Sequence, residues 1–252
     1  MSLVTLGPEA VSLLVLAPVV GSFLGVVVHR LPEGDAIGWS RSRCECCGAI
    51  LAPRDLVPLI SWAAMLGRCR HCRQRLGWFY PAIEIAALLI ALIAVAVDGT
   101  PGAWLDCLLG WWLLALAWID LRQGVLPDLL TLPLIVAGLA AATLFDPDTL
   151  LDRALGAVFG YLALRGIAAM YRAVRQRDGL GGGDAKLVSA VGAWLGLTVL
   201  PQVILAAGLG GVITAAALRL GGIRLHAHSA LPFGPFLALP TWLLWVFGPV
   251  AL

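Results

Sequence analysis

Charge is what this sequence has least of. Only 13% of its 252 residues are Asp, Glu, Lys or Arg against 60% apolar, and a soluble globule is excluded at that ratio. No basic surplus compensates: 17 Lys and Arg face 15 Asp and Glu, and a net charge of +2 excludes a nucleic-acid binder reading phosphates by bulk electrostatics. Glycine and proline together number 44 (29 and 15), too few for a low-complexity chain and without a collagen period. There is no internal repeat of fixed period. Two catalytic signatures are also missing. Without H-E-x-x-H, a zinc metalloprotease of that type is unsupported, and without G-x-S-x-G so is a nucleophile-elbow hydrolase.

What the chain has instead is apolar runs. They lie at about 10–28, 82–97, 103–119, 126–145, 150–170, 187–200, 203–218 and 231–250, each near or slightly below spanning length. The expected fold is an all-α polytopic membrane protein of about eight transmembrane helices. Crossings of about 20 residues would use about 160 and leave about 90 for one large loop, short connections and tails. The runs at 83–97 and 187–200 are the shortest and need their flanks or a locally thinned bilayer. The first run reads as a retained helix, because no basic stretch precedes it and it ends in His29-Arg30 without a small-residue cleavage site.

Basic residues then set an orientation. Sixteen of the 17 fall on alternate connections, from the arginines of 29–80 through Arg122, Arg165, Arg172, Arg175, Arg177 and Lys186 to Arg219 and Arg224. The opposite connections carry Asp98, Asp146, Asp148 and Asp152, with Arg153 the exception. Taking the basic side as cytoplasm puts the N-terminus outside. Composition changes sharply once, so three parts are expected: a first helix over 1–28, a small cytoplasmic module over 29–80 and a membrane core over 81–252.

The module holds five of the six cysteines, with Cys44-Glu45-Cys46-Cys47 and Cys69-Arg70-His71-Cys72 forming two C-x-x-C pairs. Two intervening residues let a tight turn aim both thiolates at one ion, and Gly48 helps the backbone close over the sulfurs. The metal ligands expected are Cys44, Cys47, Cys69 and Cys72, around a structural zinc ion with no open position for catalysis. So small a module has little apolar core, and the ion would supply much of its folding energy. Disulfides are the alternative, which a reducing compartment disfavours. Cys46 and His71 are spare ligands, and Cys107 reads as a packing residue.

Two carboxylates draw a functional reading. Asp120 closes one apolar run and Asp184 opens another, both at the cytoplasmic ends of helices by the assigned topology. If they meet, they cannot both ionise easily; one keeps a proton and the other takes one from water, which is what acid–base hydrolysis needs. Glycines 179 and 181–183 disfavour a regular helix before Asp184 and let an extended substrate strand approach, so Gly181, Gly182, Gly183 and Lys186 are candidate substrate contacts. The bland alternatives are a helix N-cap for Asp184 and an interfacial pair with Arg122 for Asp120. Asp128 reads as an N-cap, Glu84 as a residue that fixes a helix end, His29 as interfacial, and His226 and His228 as loop residues.

These residues, taken together, resemble the type IV prepilin peptidases, GxGD-type membrane aspartic proteases of bacterial pilus assembly and type II secretion. The likeness runs from Gly21-Ser22-Phe23-Leu24-Gly25 through His29-Arg30-Leu31-Pro32, the paired C-x-x-C module, Tyr80-Pro81-Ala82-Ile83-Glu84 and Leu126-Pro127-Asp128. It continues in Gly181-Gly182-Gly183-Asp184-Ala185-Lys186 and Pro232-Phe233-Gly234-Pro235-Phe236. The resemblance implies that Asp120 and Asp184 are the catalytic pair and that the substrate is a prepilin or pseudopilin whose basic leader is cut after a glycine at the cytoplasmic face of the inner membrane. It also implies, for many members, methylation of the new N-terminus from S-adenosylmethionine. Gly25 stands where the family usually has asparagine, in a region associated with methylation, and Glu45 where it usually has proline. The competing class is a non-enzymatic transporter or assembly scaffold, with the zinc module docking a partner and the aspartates carrying protons.

Overall fold

The computed structural model describes residues 7–38, 41–44, 46–176, 181–222 and 231–249, with the side chains of Thr100 and Pro101 left out. Glu45, Arg177, Gly179, Arg224, His226 and His228 lie outside the described residues. Nine helices carry the described chain: α1 Pro8–Arg30, α2 Ile60–Ala64, α3 Phe79–Gly99, α4 Gly102–Gln123, α5 Asp128–Phe145, α6 Leu150–Arg175, α7 Gly182–Leu195, α8 Leu200–Leu220 and α9 Gly234–Phe247. No strand forms among the described residues, only the isolated bridges Arg43–Ile50 and Arg68–Arg75. Six helices, α1, α3, α4, α5, α6 and α8, are long and apolar enough to cross a membrane. The apolar helices α7 and α9 have 14 residues each and fall short of a full crossing.

The run expected over 187–200 is interrupted. Gly196, at φ +87°, stops α7 after Leu195, and α8 begins at Leu200. Gly99, at φ 66° and ψ −166°, likewise separates α3 from α4.

The chain divides into two compact units, Met1–Ala115 and Leu116–Leu252, with the boundary inside α4. In the first, α1 buries Ala10, Leu13, Ala17, Gly21, Leu24 and Val28, the three-and-four spacing of one helix face. Gly21 lies so close to α3 that a Cβ there would stand 2.7 Å from the Glu84 Cα. The Trp111 indole of α4 donates to the Ala87 carbonyl of α3 at 3.0 Å.

In the second unit α7 is the core. Every residue from Leu187 to Trp194 is buried, so this helix needs neither spanning length nor a lipid-facing side. Its neighbours reach it through glycine. A Cβ on Gly192 would stand 2.2 Å from the Gly156 carbonyl carbon of α6, and one on Gly138 of α5 would meet the Trp194 ring at 2.6 Å. Gly156 and Gly160 form a G-x-x-x-G pair, the small-residue pattern that lets helix backbones touch in lipid. Trp194 closes the packing by donating its indole N–H to the Leu134 carbonyl at 2.9 Å.

Candidate active site

Asp120 sits one turn before the end of α4, where its carbonyl accepts the Gly124 amide at 2.8 Å. The side chain is buried, and its Oδ2 accepts the Gly234 amide at 2.6 Å from 114 residues away. Gly234 is the first residue of α9, so a helix N-terminus points its donor at this carboxylate. Only glycine fits there: a Cβ would lie 2.8 Å from Asp120 Oδ2.

Asp184 is the third residue of α7, and its Oδ2 accepts the Gly181 amide at 3.2 Å, reaching back over the helix start. Gly182 and Gly183 therefore open a regular helix, where the glycines were expected to disfavour one. Close packing explains the difference: a Cβ on Gly183 would stand 2.8 Å from the Leu126 Cβ. Asp120 and Asp184 line one cavity of about 610 Å³, walled also by Gly181, Leu164, Ile167 and Phe233. Two carboxylates lining one cavity can divide acid and base roles between them.

Of the four residues expected to meet substrate, Gly181 is on the cavity wall. Gly182 and Gly183 form the first turn of α7, and the Lys186 ammonium pairs with Asp128 Oδ1. Asp128 is the first residue of α5, with Pro127 in the N-cap place. Glu84 is buried near the start of α3 and accepts the Leu59 amide at 2.8 Å, and His29 packs against the rings of Phe79 and Tyr80.

The cysteines converge. The sulfurs of Cys44, Cys47, Cys69 and Cys72 all lie within 4.8 Å of one another, with Cys44 and Cys72 at 3.9 Å. A tetrahedral zinc–thiolate site, with zinc–sulfur bonds of about 2.3 Å, has sulfur–sulfur edges of about 3.8 Å, so the four sulfurs fit the ion. The two knuckles share one turn. The Gly48 amide bonds the Cys44 carbonyl at 2.9 Å and the Arg73 amide bonds the Cys69 carbonyl at 3.0 Å; both fourth residues are left-handed, at φ +67° and +61°. The amides of Cys72 and His71 aimed at Cys69 hold its thiol well below the ordinary thiol range, the direction a zinc ligand needs. Cys46 is exposed and Cys107 buried; neither belongs to the cluster.

Three features escaped the sequence reading. The Gly234 amide is a backbone group with no side-chain signature. Asp106 is buried one turn into α4, and an acid within an apolar run was signal enough to find it. Asp55, buried between the knuckles, accepts from Arg70 Nε at 2.8 Å and from the Ala52 amide at 3.2 Å. The Arg70 guanidinium holds its carboxyl below the usual carboxylate range.

Comparison with known proteins matches residues 15–97 to the bacterial peptidase A24 N-terminal domain and residues 107–216 to the type IV leader peptidase family. A prepilin leader peptidase/N-methyltransferase of Burkholderia pseudomallei is 40% identical over 92% of this chain and 83% of its own. Namesakes from Pseudomonas aeruginosa and Aeromonas salmonicida are each 36% identical, over 93% and 91% of this chain and 89% and 87% of theirs. No solved structure matches the chain.

Proposed function

The chain belongs to the type IV leader peptidase family, and on that footing we propose that it is a membrane aspartic endopeptidase cutting the leader of type IV prepilins or pseudopilins, with Asp120 and Asp184 as its catalytic pair. The observation that carries this reading is that both carboxylates line one cavity. The ionised partner takes a proton from water as that water attacks the scissile carbonyl, and the protonated partner donates to the carbonyl oxygen. The Gly234 amide orients Asp120, and the Gly181 amide orients Asp184. Gly181 stands where an extended leader segment would pass, its backbone exposed at the cavity edge. The scaffold alternative gives no reason for both carboxylates to face one cavity, and an enzyme family gives one.

The four thiols Cys44, Cys47, Cys69 and Cys72 are assigned to a structural zinc ion, which when bound supplies folding energy to the module and has no open position for substrate. The membrane is the bacterial inner membrane, with the N-terminus outside and the dyad at the cytoplasmic face. After cleavage, the new N-terminus is methylated, with S-adenosylmethionine as donor. Gly25, where the family usually has asparagine, faces Tyr80, whose ring carbons lie 2.9 Å from where a Cβ would stand.

The test is to incubate the purified protein with a full-length prepilin and weigh the product. Loss of the leader, followed by a gain of one methyl group, is the expected result. Asp120→Asn and Asp184→Asn should each lower cleavage by at least about 100-fold with membrane insertion and thermal stability retained. Full activity in either variant rejects the paired mechanism.

A further inference from the structure

Between the two cysteine knuckles runs an eleven-residue stretch, Leu56–Leu66, without a single charged side chain. In a module with so little core these side chains would be expected inside. They are not: Leu56 is 42% exposed, Val57 41%, Ile60 69% and Leu66 85%. Exposed apolar side chains this dense mark a surface that meets something apolar.

The height of the stretch is fixed by one bond. The Leu59 amide donates to Glu84 Oε2 at 2.8 Å, and Glu84 is the sixth residue of α3. Side chains on a helix lean toward its N-terminus, so the Leu59 backbone lies beside the first turns of α3. Those turns begin at Trp78 and Tyr80, exposed aromatics of the kind found at a membrane–water boundary. Leu59 takes a φ of +59°, a conformation side chains avoid, and the bond to Glu84 holds it there. Just beyond, Ile85, Leu89 and Leu92 of α3 are exposed, an apolar face on a helix long enough to cross a membrane.

Charge agrees. Arg54 and Arg68 bracket the stretch, and residues 29–80 carry eight arginines against the four acids Glu33, Asp35, Glu45 and Asp55. A basic leader peptide is a poor match for that surface, and anionic lipid headgroups are a good one.

We propose that Leu56–Leu66 is an interfacial membrane segment. Leu56, Val57, Ile60 and Leu66 enter the boundary between headgroups and acyl chains of the bilayer that α3 crosses, and Arg54 and Arg68 meet anionic lipid phosphates. The module is thereby held flat against the membrane, independently of which reaction the protein catalyses.

Photochemical crosslinking tests this on the full-length protein in nanodiscs of phosphatidylcholine with or without phosphatidylglycerol. A benzoylphenylalanine is placed singly at position 60 or 66, with position 89 of α3 as the lipid-facing reference; metal content and elution volume report that each variant is folded. After irradiation, intact mass should show lipid adducts at 60 and 66 in at least half the yield seen at 89. Phosphatidylglycerol should exceed its share of the bilayer about twofold in those adducts. Adducts at 89 but at neither 60 nor 66 would overturn the proposal. So would crosslinks from 60 and 66 to a second copy of the chain or back into the same chain. Should the probe at 60 prevent folding, position 66 decides alone.

Discussion

Arg73 and Gly48 do the same work in the two knuckles, but at different cost. Each is the fourth residue after its leading cysteine and each is left-handed, at φ +61° and +67°. For a side chain with a Cβ that conformation costs roughly 1–2 kcal/mol, whereas glycine adopts it freely and loses somewhat more chain entropy on folding. Steric relief wins. Arg73→Gly should stabilise the module by about 0.5–1 kcal/mol, read as a tighter competition with a zinc chelator and a higher unfolding midpoint. The reverse change at the first knuckle, Gly48→Arg, should weaken it by about the same 0.5–1 kcal/mol. A lower zinc affinity in Arg73→Gly would mean that the arginine side chain makes an interaction worth more than the strain. At this scale the cysteine spacing was legible in the sequence, because a metal knuckle is a local object whose ligands and turn lie within five residues. The bond from Asp120 to Gly234 was not, because it joins positions 114 apart through a main-chain amide that every residue but proline possesses.

At the level of helices, glycine means opposite things in two places. Gly192 of α7 touches the Gly156 backbone, and a Cβ there would lie 2.2 Å from a carbonyl carbon that cannot move aside. Gly166 of α6 is exposed and has nothing within 4 Å of its virtual Cβ. Helix propensity favours alanine over glycine by roughly 1 kcal/mol at both sites. Overpacking at Gly192 costs about 1–3 kcal/mol and often more against rigid backbone, so it outweighs propensity there and is absent at Gly166. Gly192→Ala should lower the thermal midpoint in detergent and Gly166→Ala should raise it; the same sign in both would break this account of α7 as the packed centre. The apolar runs themselves were readable because lipid demands hydrophobic length. What hydropathy could not separate was a helix facing lipid from one enclosed by protein, which is why the run at 187–200 looked like a weak span. Nor could composition foresee that Gly182 and Gly183 begin a helix: isolated glycines break helices, but packing on Leu126 rewards a residue with no side chain.

Across the molecule, the distribution of basic residues makes a claim about sidedness that one native thiol can check. Cys46 is exposed and outside the four-sulfur cluster, while Cys107 is buried in α4. Thiolates bound to zinc react slowly, so a membrane-impermeant maleimide should find a single reactive site per chain when it can reach the module. If the basic side is cytoplasmic, intact spheroplasts should leave the protein unlabelled and inverted vesicles should give one adduct by mass. Adding a strong chelator to the inverted vesicles should raise the count to five, as Cys44, Cys47, Cys69 and Cys72 are released. The two readings are separable. Labelling in spheroplasts would reverse the topology without touching the metal site. Five adducts before chelation, with the protein otherwise folded, would remove the zinc ion while leaving the orientation standing. The same vesicles carry the functional consequence of the proposed orientation: if Asp120 and Asp184 act at the cytoplasmic face, they reach only substrates presented from that compartment. Prepilin added outside inverted vesicles should therefore be cut, and prepilin added to sealed spheroplasts should not.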